Sequence, residues 1–327
     1  MSGGLNLVAD LGGTNTRVAL ARGHQVDAAT IRRYRNAGYS GIGAVLEAYL
    51  TETGQTEPLA GSCVAIAGPV RESAGHLTNL DWSIDRDTVR GATGASTIAV
   101  LNDLQAQGHA LGHLGPASEI EVRRGTPPAG EATRLVIGVG TGFNAAPVYP
   151  TPSGRLVPPA EAGHSALPVG TEEEFRLAGA VARTHGFPSI EEVLSGRGIE
   201  RVYAWLGDGE GDGEPAAASA AEILAAASDG RDPRAAAALR LFVRTLGAVA
   251  GDLALIYLPF GGIYLAGGVA RRFAPWLAQM GFEGTFCAKG RFSDFMRQFP
   301  VSVIDDDYSA LTGCAAHLVE LGASPSG

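Results

Sequence analysis

Two glycine-rich segments, ADLGGTNTR at residues 9–17 and GVGTGF at residues 138–143, follow one local plan: an apolar β-rich run, a turn of Gly and Thr, and a second β-rich run. A chain of 327 residues has room for about two domains, each burying its own core. The plan recurs on either side of residues 115–131, a stretch of Gly, Pro and mixed charge that reads as a crossing between domains. In such a turn glycine lets backbone N–H groups approach a phosphate oxygen closely, successive amides form an anion-binding nest, and Thr14 and Thr141 add hydroxyl donors. The candidate phosphate-binding residues are therefore Ala9, Asp10, Leu11, Gly12, Gly13, Thr14 and Asn15 in the first segment and Gly138, Gly140, Thr141 and Gly142 in the second. Either segment alone reads equally well as a plain hairpin turn; the repetition is what points to phosphate.

Two other phosphate motifs are excluded by context. A Walker loop needs Gly-Lys-Ser or Gly-Lys-Thr, and the single Lys stands in Ala288-Lys289-Gly290, while GVGTG runs into a strand-like sequence where a dinucleotide fingerprint needs a helix. Without a loop Lys, neutralisation of the phosphates falls to Mg2+ and to amide dipoles, with Asp10 a candidate for holding the ion through water. A third glycine pair, Gly267 and Gly268 in YLAGGVA, lies between a strand-like and a helical run. Adenine or ribose could rest against backbone there; a tight strand-to-helix turn explains the same residues.

From Leu5 to Arg35 three strand-like runs, LNLVADLG, TRVALARG and QVDAATIRRYR, follow one another as in an antiparallel meander. Strands and helices then alternate: a helix over 42–50, a buried strand near 63–67, a short helix near 85–90 and the strand TIAVL ending at Asn102. The second domain is mostly helical. Thr171 with Glu174 reads as a capping box, and residues 232–258 as a long helix stopped by Pro259. GDGEGDGEP at 207–215 reads as an exposed loop, since the spacing and terminal Glu of an EF-hand are missing. PVSVIDDD is strand-like and SALTGCAAHLVEL helical, which brings the C-terminal segment back onto the first domain.

Composition narrows the classes of function. Acids outnumber bases by 34 to 25, for a net charge of −9, and no Arg cluster is available to neutralise a nucleic-acid backbone. Cys63, Cys287 and Cys314 form neither a paired framework nor a metal-ligand cluster. No leader and no run of about 18 apolar residues is evident, so a reduced cytoplasmic protein without nucleic-acid or membrane partners is expected.

Asn102-Asp103 ends a strand and begins a helix, the usual place for an Asp N-cap. Glu161 and His164 in EAGH, and Glu191 ahead of VLSG, are of the kinds that fix sugar hydroxyls. Taken singly, His164 reads as a structural histidine and Glu191 as a solvated member of a Glu-Glu pair.

In chain order, ADLGGTNTR, LNDL, GVGTG, EAGH, VLSG, AGGVARRF and KGRF resemble the motif series of bacterial glucokinases of the proteobacterial type, over nearly the whole chain. The resemblance implies the actin-like ATPase (ribonuclease H-like) fold, an α/β fold of two domains around an ATP and sugar cleft, here residues 1–112 with 302–327 and residues 113–301. It implies an ATP-dependent kinase that phosphorylates glucose at the 6-hydroxyl, with Mg2+ accompanying ATP. Asp103 would accept the hydroxyl proton; Asn102, Glu161, His164 and Glu191, together with Asn79 of TNLDW, would hold the sugar; the two turns would hold the phosphates. Domain closure on the sugar would exclude water. Arg17, just past the first turn, is left as a surface residue. A homodimer is left open by the resemblance.

This chain departs from the family pattern at Ala162, where Glu-Gly-Gly-His is usual, and at Arg197, where Pro is usual. The first departure leaves the choice among hexoses open, so a kinase for mannose, fructose or an amino sugar is the nearest alternative. A sugar-sensing regulator is the more distant one, because no helix-turn-helix precedes the first strand. The zinc-binding Cys cluster of the related repressor and kinase family is missing, and no structural zinc is expected.

Overall fold

The computed structural model describes residues 4–71, 74–77, 80–207 and 218–323, so that Asn79 and residues 208–215 of GDGEGDGEP lie outside the described residues. The chain divides into two compact units. One comprises Met1–Ser118, Val148–Pro159 and Asp306–Gly327; the other comprises Glu119–Pro147 and Ala160–Asp305.

The first unit opens with β1 (Leu5–Leu11), β2 (Asn15–Arg22), β3 (Gln25–Val26) and β4 (Arg32–Arg35), followed by α1 (Ile42–Thr53) and β5 (Gly61–Ile66). A small sheet of β6 (Val70–Arg71), β7 (Ala74–His76) and β8 (Ser83–Ile84) precedes α2 (Arg86–Thr93), β9 (Thr97–Asn102) and α3 (Asp103–Ala110). The second unit contains β10 (Glu119–Arg123), β11 (Arg134–Val139) and the start of β12 (Phe143–Thr151); the end of β12 and the β13 strand (Gly154–Leu156) that pairs with it belong to the first unit. The second unit continues with α4 (Glu172–His185), α5 (Gly196–Gly207), α6 (Ala220–Ser228), α7 (Pro233–Tyr257), β14 (Ile263–Ala266), α8 (Gly268–Leu277), α9 (Phe282–Cys287), α10 (Ser293–Met296) and β15 (Val301–Ile304). The chain then re-enters the first unit as α11 (Ser309–Ala323).

In the first unit the main sheet has the order β3-β2-β1-β5-β9, with β4 also paired to β2. β1 and β2 are antiparallel, whereas β1, β5 and β9 run parallel, so that Leu11, Ile66 and Asn102 share one row at the carboxyl edge. Strands buried on both faces read as nearly continuous apolar runs, and β1 and β5 do. Alternation along the strand sorts their side chains. Leu7, Ala9, Leu11, Val64 and Ile66 join Val45, Leu46 and Tyr49 of α1 and Val89 of α2. Val8, Cys63 and Ala65 instead join Ala106 of α3 and Leu311, Cys314 and Ala315 of α11. Residues on this second face are small, and α3 and α11 approach closely because a side chain on Gly313 would strike the Ala106 carbonyl.

Two local readings need correction. The third strand-like run is broken into β3 and β4 by a one-turn helix at Ala28–Thr30, because the Asp27 carboxylate accepts from Ala29 N at 3.0 Å and turns the chain. Thr171 does cap α4 by accepting from Glu174 N, but the reciprocal bond is displaced by one residue: Glu174 Oε2 accepts from Gly170 N at 2.8 Å.

A second six-stranded sheet runs β10-β15-β14-β11-β12-β13, with β11, β14 and β15 parallel. The core of the second unit is built around α7, which begins with Asp232 as cap and Pro233 at the first turn and ends in a left-handed Leu258 before Pro259. Lys289 Nζ, from KGRF, ties this helix to the following segment through Asp252 Oδ1 at 2.5 Å and the Ala248 carbonyl at 3.0 Å.

Candidate functional site

The first turn is closed by Gly12 N donating to the Asn15 carbonyl at 3.0 Å. It is held from behind by Asn36, which is buried just after β4. Its Nδ2 donates to the Gly12 carbonyl (2.8 Å), its Oδ1 accepts from Thr16 Oγ1 (2.8 Å), and its backbone N donates to the Thr14 carbonyl (3.0 Å). Drawing the Gly12 carbonyl toward Asn36 turns the N–H of Gly13 to the opposite side of the same trans peptide plane. An amide presented this way, with Thr14 exposed beside it, suits a phosphate oxygen.

Asp10 and Arg17 stand directly opposite each other on β1 and β2, and Arg17 Nη1 donates to Asp10 Oδ2 at 3.1 Å while its guanidinium carbon lies 5.9 Å from the centroid of the Tyr308 ring. Burial raises the Asp10 carboxyl above its ordinary value, and Arg17 works against that shift. Arg17 is thus not the plain surface side chain its strand position suggests.

The second turn has a different brace. Gly140 N donates to the Gly142 carbonyl and the Gly140 carbonyl accepts from Gly196 N, both at 2.9 Å. Phe143 N donates to Glu191 Oε2 at 2.9 Å, and a side chain at Gly142 would collide with that same carboxylate. Glu191 is therefore half-buried and bonded to the loop, not a solvated member of a Glu-Glu pair. Gly138 pairs with Ala266 across the parallel strands, which sets the Gly267–Gly268 pair at the same carboxyl edge as this turn. Gly267 has φ 102°, and a Cβ there would lie 2.5 Å from the Val139 carbonyl, so only glycine fits. Beside Gly268 the space is open.

EAGH forms a one-turn helix at Ala162–His164 that packs on the turn carrying Glu191. Asn144 organises it: Oδ1 accepts from Ala162 N at 2.9 Å and from Ala145 N at 2.8 Å, and Nδ2 donates to the Ala160 carbonyl. Ala162 replaces Gly without strain, since Leu258 is the only non-glycine with positive φ among the described residues. Gly163 cannot be replaced in the same way, because a side chain would strike the Phe143 carbonyl. Glu161 and His164 are exposed. Glu161, His164, Glu191 and the second turn are thus gathered in the second unit.

In the first unit, Asp103 is not the N-cap. The cap is Asn102, whose Oδ1 accepts from Gln105 N at 2.6 Å while Gln105 Oε1 accepts from Asn102 N at 3.1 Å. Gln105 Nε2 also donates to the Val157 carbonyl at 2.8 Å. Asp103 occupies the first helical position, exposed, with Oδ1 accepting from Leu104 N at 2.8 Å. What Asn102 can offer a ligand is its Nδ2 amide. The shared row of Leu11, Ile66 and Asn102 puts Asp103 and the first turn at one sheet edge, two strand spacings or about 10 Å apart. Open α/β sheets bind ligands at this edge.

Sequence reasoning missed Asn36, Asn144 and Gln105. The two asparagines brace other segments by side-chain bonds across long sequence gaps, and only Gln105, three residues after Asn102, carried a capping signal.

A family model described as Glucokinase matches residues 7–321. The chain belongs to the glucokinase family. A glucokinase of Caulobacter vibrioides (strain NA1000 / CB15N) is 35% identical over 325 residues, covering 98% of this chain and 97% of that one. A glucokinase of Saccharophagus degradans is 33% identical, covering 96% and 98%. The crystal structure of glucokinase from an Antarctic psychrotroph aligns with a TM-score of 0.84 at 31% identity, over 96% of this chain and 98% of that one. The fold is the actin-like ATPase fold of this family. No helix among the described residues is long and apolar enough to cross a membrane.

Proposed function

We propose that this chain transfers the γ-phosphoryl group of ATP to the 6-hydroxyl of glucose, yielding glucose 6-phosphate and ADP. The observation that carries the reading is Asp103: an exposed carboxylate, relieved of capping by Asn102, on the same sheet edge as the first glycine turn, in a chain of the glucokinase family. Phosphoryl transfer passes through a loose transition state, so positioning and charge stabilisation supply most of the catalysis. Asp103 accepts a hydrogen bond from the 6-hydroxyl and aims its oxygen at the γ-phosphorus. As the new O–P bond forms and the bond to the ADP oxygen breaks, the hydroxyl proton passes to the carboxylate. A carboxylate is a far weaker base than an alkoxide, so this transfer comes late.

Asn102, Glu161, His164 and Glu191 are assigned to the other sugar hydroxyls, with Asn79 added from the family resemblance. The amides of the two turns take the phosphates, and Gly267 and Gly268 take adenine or ribose. Mg2+ would accompany the nucleotide and neutralise phosphate charge, with Asp10 the residue that would hold it through water. The reading also carries a cytoplasmic location and leaves a homodimer open.

An ADP-release assay over a panel of sugars tests the proposal. Glucose is expected to give the highest kcat/KM. A preference for mannose, fructose or an amino sugar moves the assignment to another hexose, and no sugar-dependent ADP release at all would support the regulator reading instead.

A further inference from the structure

The first unit carries a second cluster of chemistry that the proposed reaction does not use. Four of the seven histidines, His24, His109, His113 and His317, gather near the C-terminal end of α3, opposite the end that bears Asp103. His317 and Glu320 are three residues apart on α11 and so share a face. His109 reaches them from α3 across the close crossing that Gly313 permits. His109 Nδ1 lies 2.7 Å from Glu320 Oε2, the rings of His109 and His317 are 4.4 Å apart at their centroids, and one donor atom from each of the three residues lies within 4.8 Å of the others. Nδ1 of His317 is buried and has no hydrogen-bond partner among the described residues. Orphaned buried nitrogens are uncommon.

We propose that His109, His317 and Glu320 form a site for a divalent transition-metal ion, with zinc the best match. Two imidazoles and a carboxylate are a familiar zinc donor set, with water completing the tetrahedron. Tetrahedral zinc with bonds of about 2.0–2.1 Å places its donors about 3.4 Å apart, so side-chain rotation of on the order of 1 Å closes the set. Arg155 Nη1 donates to the other carboxylate oxygen, Glu320 Oε1, at 3.0 Å and thereby orients the ligand; the same Nη1 lies 2.8 Å from His113 Nε2. The ion pins α3 to α11 and stiffens the helix that presents Asp103. This site is independent of the assignment of the sugar.

The test uses the full chain, stripped with EDTA, desalted and titrated with zinc chloride against a colorimetric zinc chelator. Wild type is expected to bind one tight equivalent, and His317→Ala and His109→Gln each to weaken it by about tenfold or more. His76→Ala and Cys287→Ser, which alter an exposed histidine and a cysteine outside the cluster, are expected to bind as wild type does. Saturating zinc should raise the Tm of wild type and not that of His317→Ala. Absence of a tight equivalent in wild type overturns the site whether or not any variant folds. So does tight binding that persists in folded His317→Ala and His109→Gln, or that disappears in Cys287→Ser.

Discussion

Asp103 stands one residue inside the helix it was expected to cap. The difference matters chemically, because a capping carboxylate accepts from N–H groups two or three residues on, whereas Asp103 sits exposed at the positive end of the helix with Oδ1 accepting from the adjacent Leu104 N. Asp103→Ala is expected to lower kcat by roughly 10²- to 10⁴-fold with a smaller change in the KM for glucose; steady-state kinetics showing near-normal turnover would remove Asp103 from the mechanism. Arg17 yields a prediction in pH. With Arg17→Ala, the buried Asp10 loses the interactions that oppose its raised carboxyl. The folded state then holds a proton at pH values where the unfolded chain has released it. The variant is therefore best off below the ordinary carboxylate range and loses stability as pH rises through the folded-state value. Arg17 is about one-third exposed, with 32% of its side chain accessible, so the deficit against wild type is put at about 1–3 kcal/mol at pH 8, shrinking toward pH 5. Urea melts across that range check it; a deficit independent of pH would contradict the pairing.

At the scale of elements, α3 is held by the reciprocal cap of Asn102 and Gln105 at its start, the Gln105 bond to the Val157 carbonyl just past β13, the crossing with α11 at Gly313, and the contact of His109 with Glu320 near its end. Gly313→Ala drives a methyl group into the Ala106 carbonyl of a neighbouring helix, a contact that no rotamer change relieves. A loss of about 3 kcal/mol is expected, against about 1 kcal/mol for Asn102→Ala, which removes only the cap. Thermal melts should rank the two in that order, and equal melting temperatures would mean that α11 shifts freely on α3. The long apolar and amphipathic runs behind α1, α2 and α7 were legible because period and caps are local properties of a sequence. The break between β3 and β4 was not, because both sides of Asp27 are β-rich and only its bond to Ala29 N turns the chain.

At the scale of the whole molecule, the ligands of the proposed reaction become a stability measurement. A ligand that binds only the folded chain adds about 2.7 kcal/mol at a hundredfold excess over its Kd. Mg·ATP and glucose are each expected to raise the Tm of wild type. Asp103→Ala should retain the shift with Mg·ATP while losing turnover, and a variant that lost both would point to damage to the first turn instead.

The paired glycine turns, the ordered motifs and the alternation of strands and helices were readable from the sequence, since each depends on residues near one another in the chain, and they carried the family. How Asn36 and Asn144 brace turns far from them in sequence, and why Glu191 bonds to Phe143 N, were decided by tertiary structure. The histidine and glutamate cluster is the extreme case. No structural zinc was expected from the cysteines, and His109 is separated from His317 and Glu320 by most of the second unit. Local spacing could show only that His317 and Glu320 share a helix face; the close crossing at Gly313 supplied the third ligand.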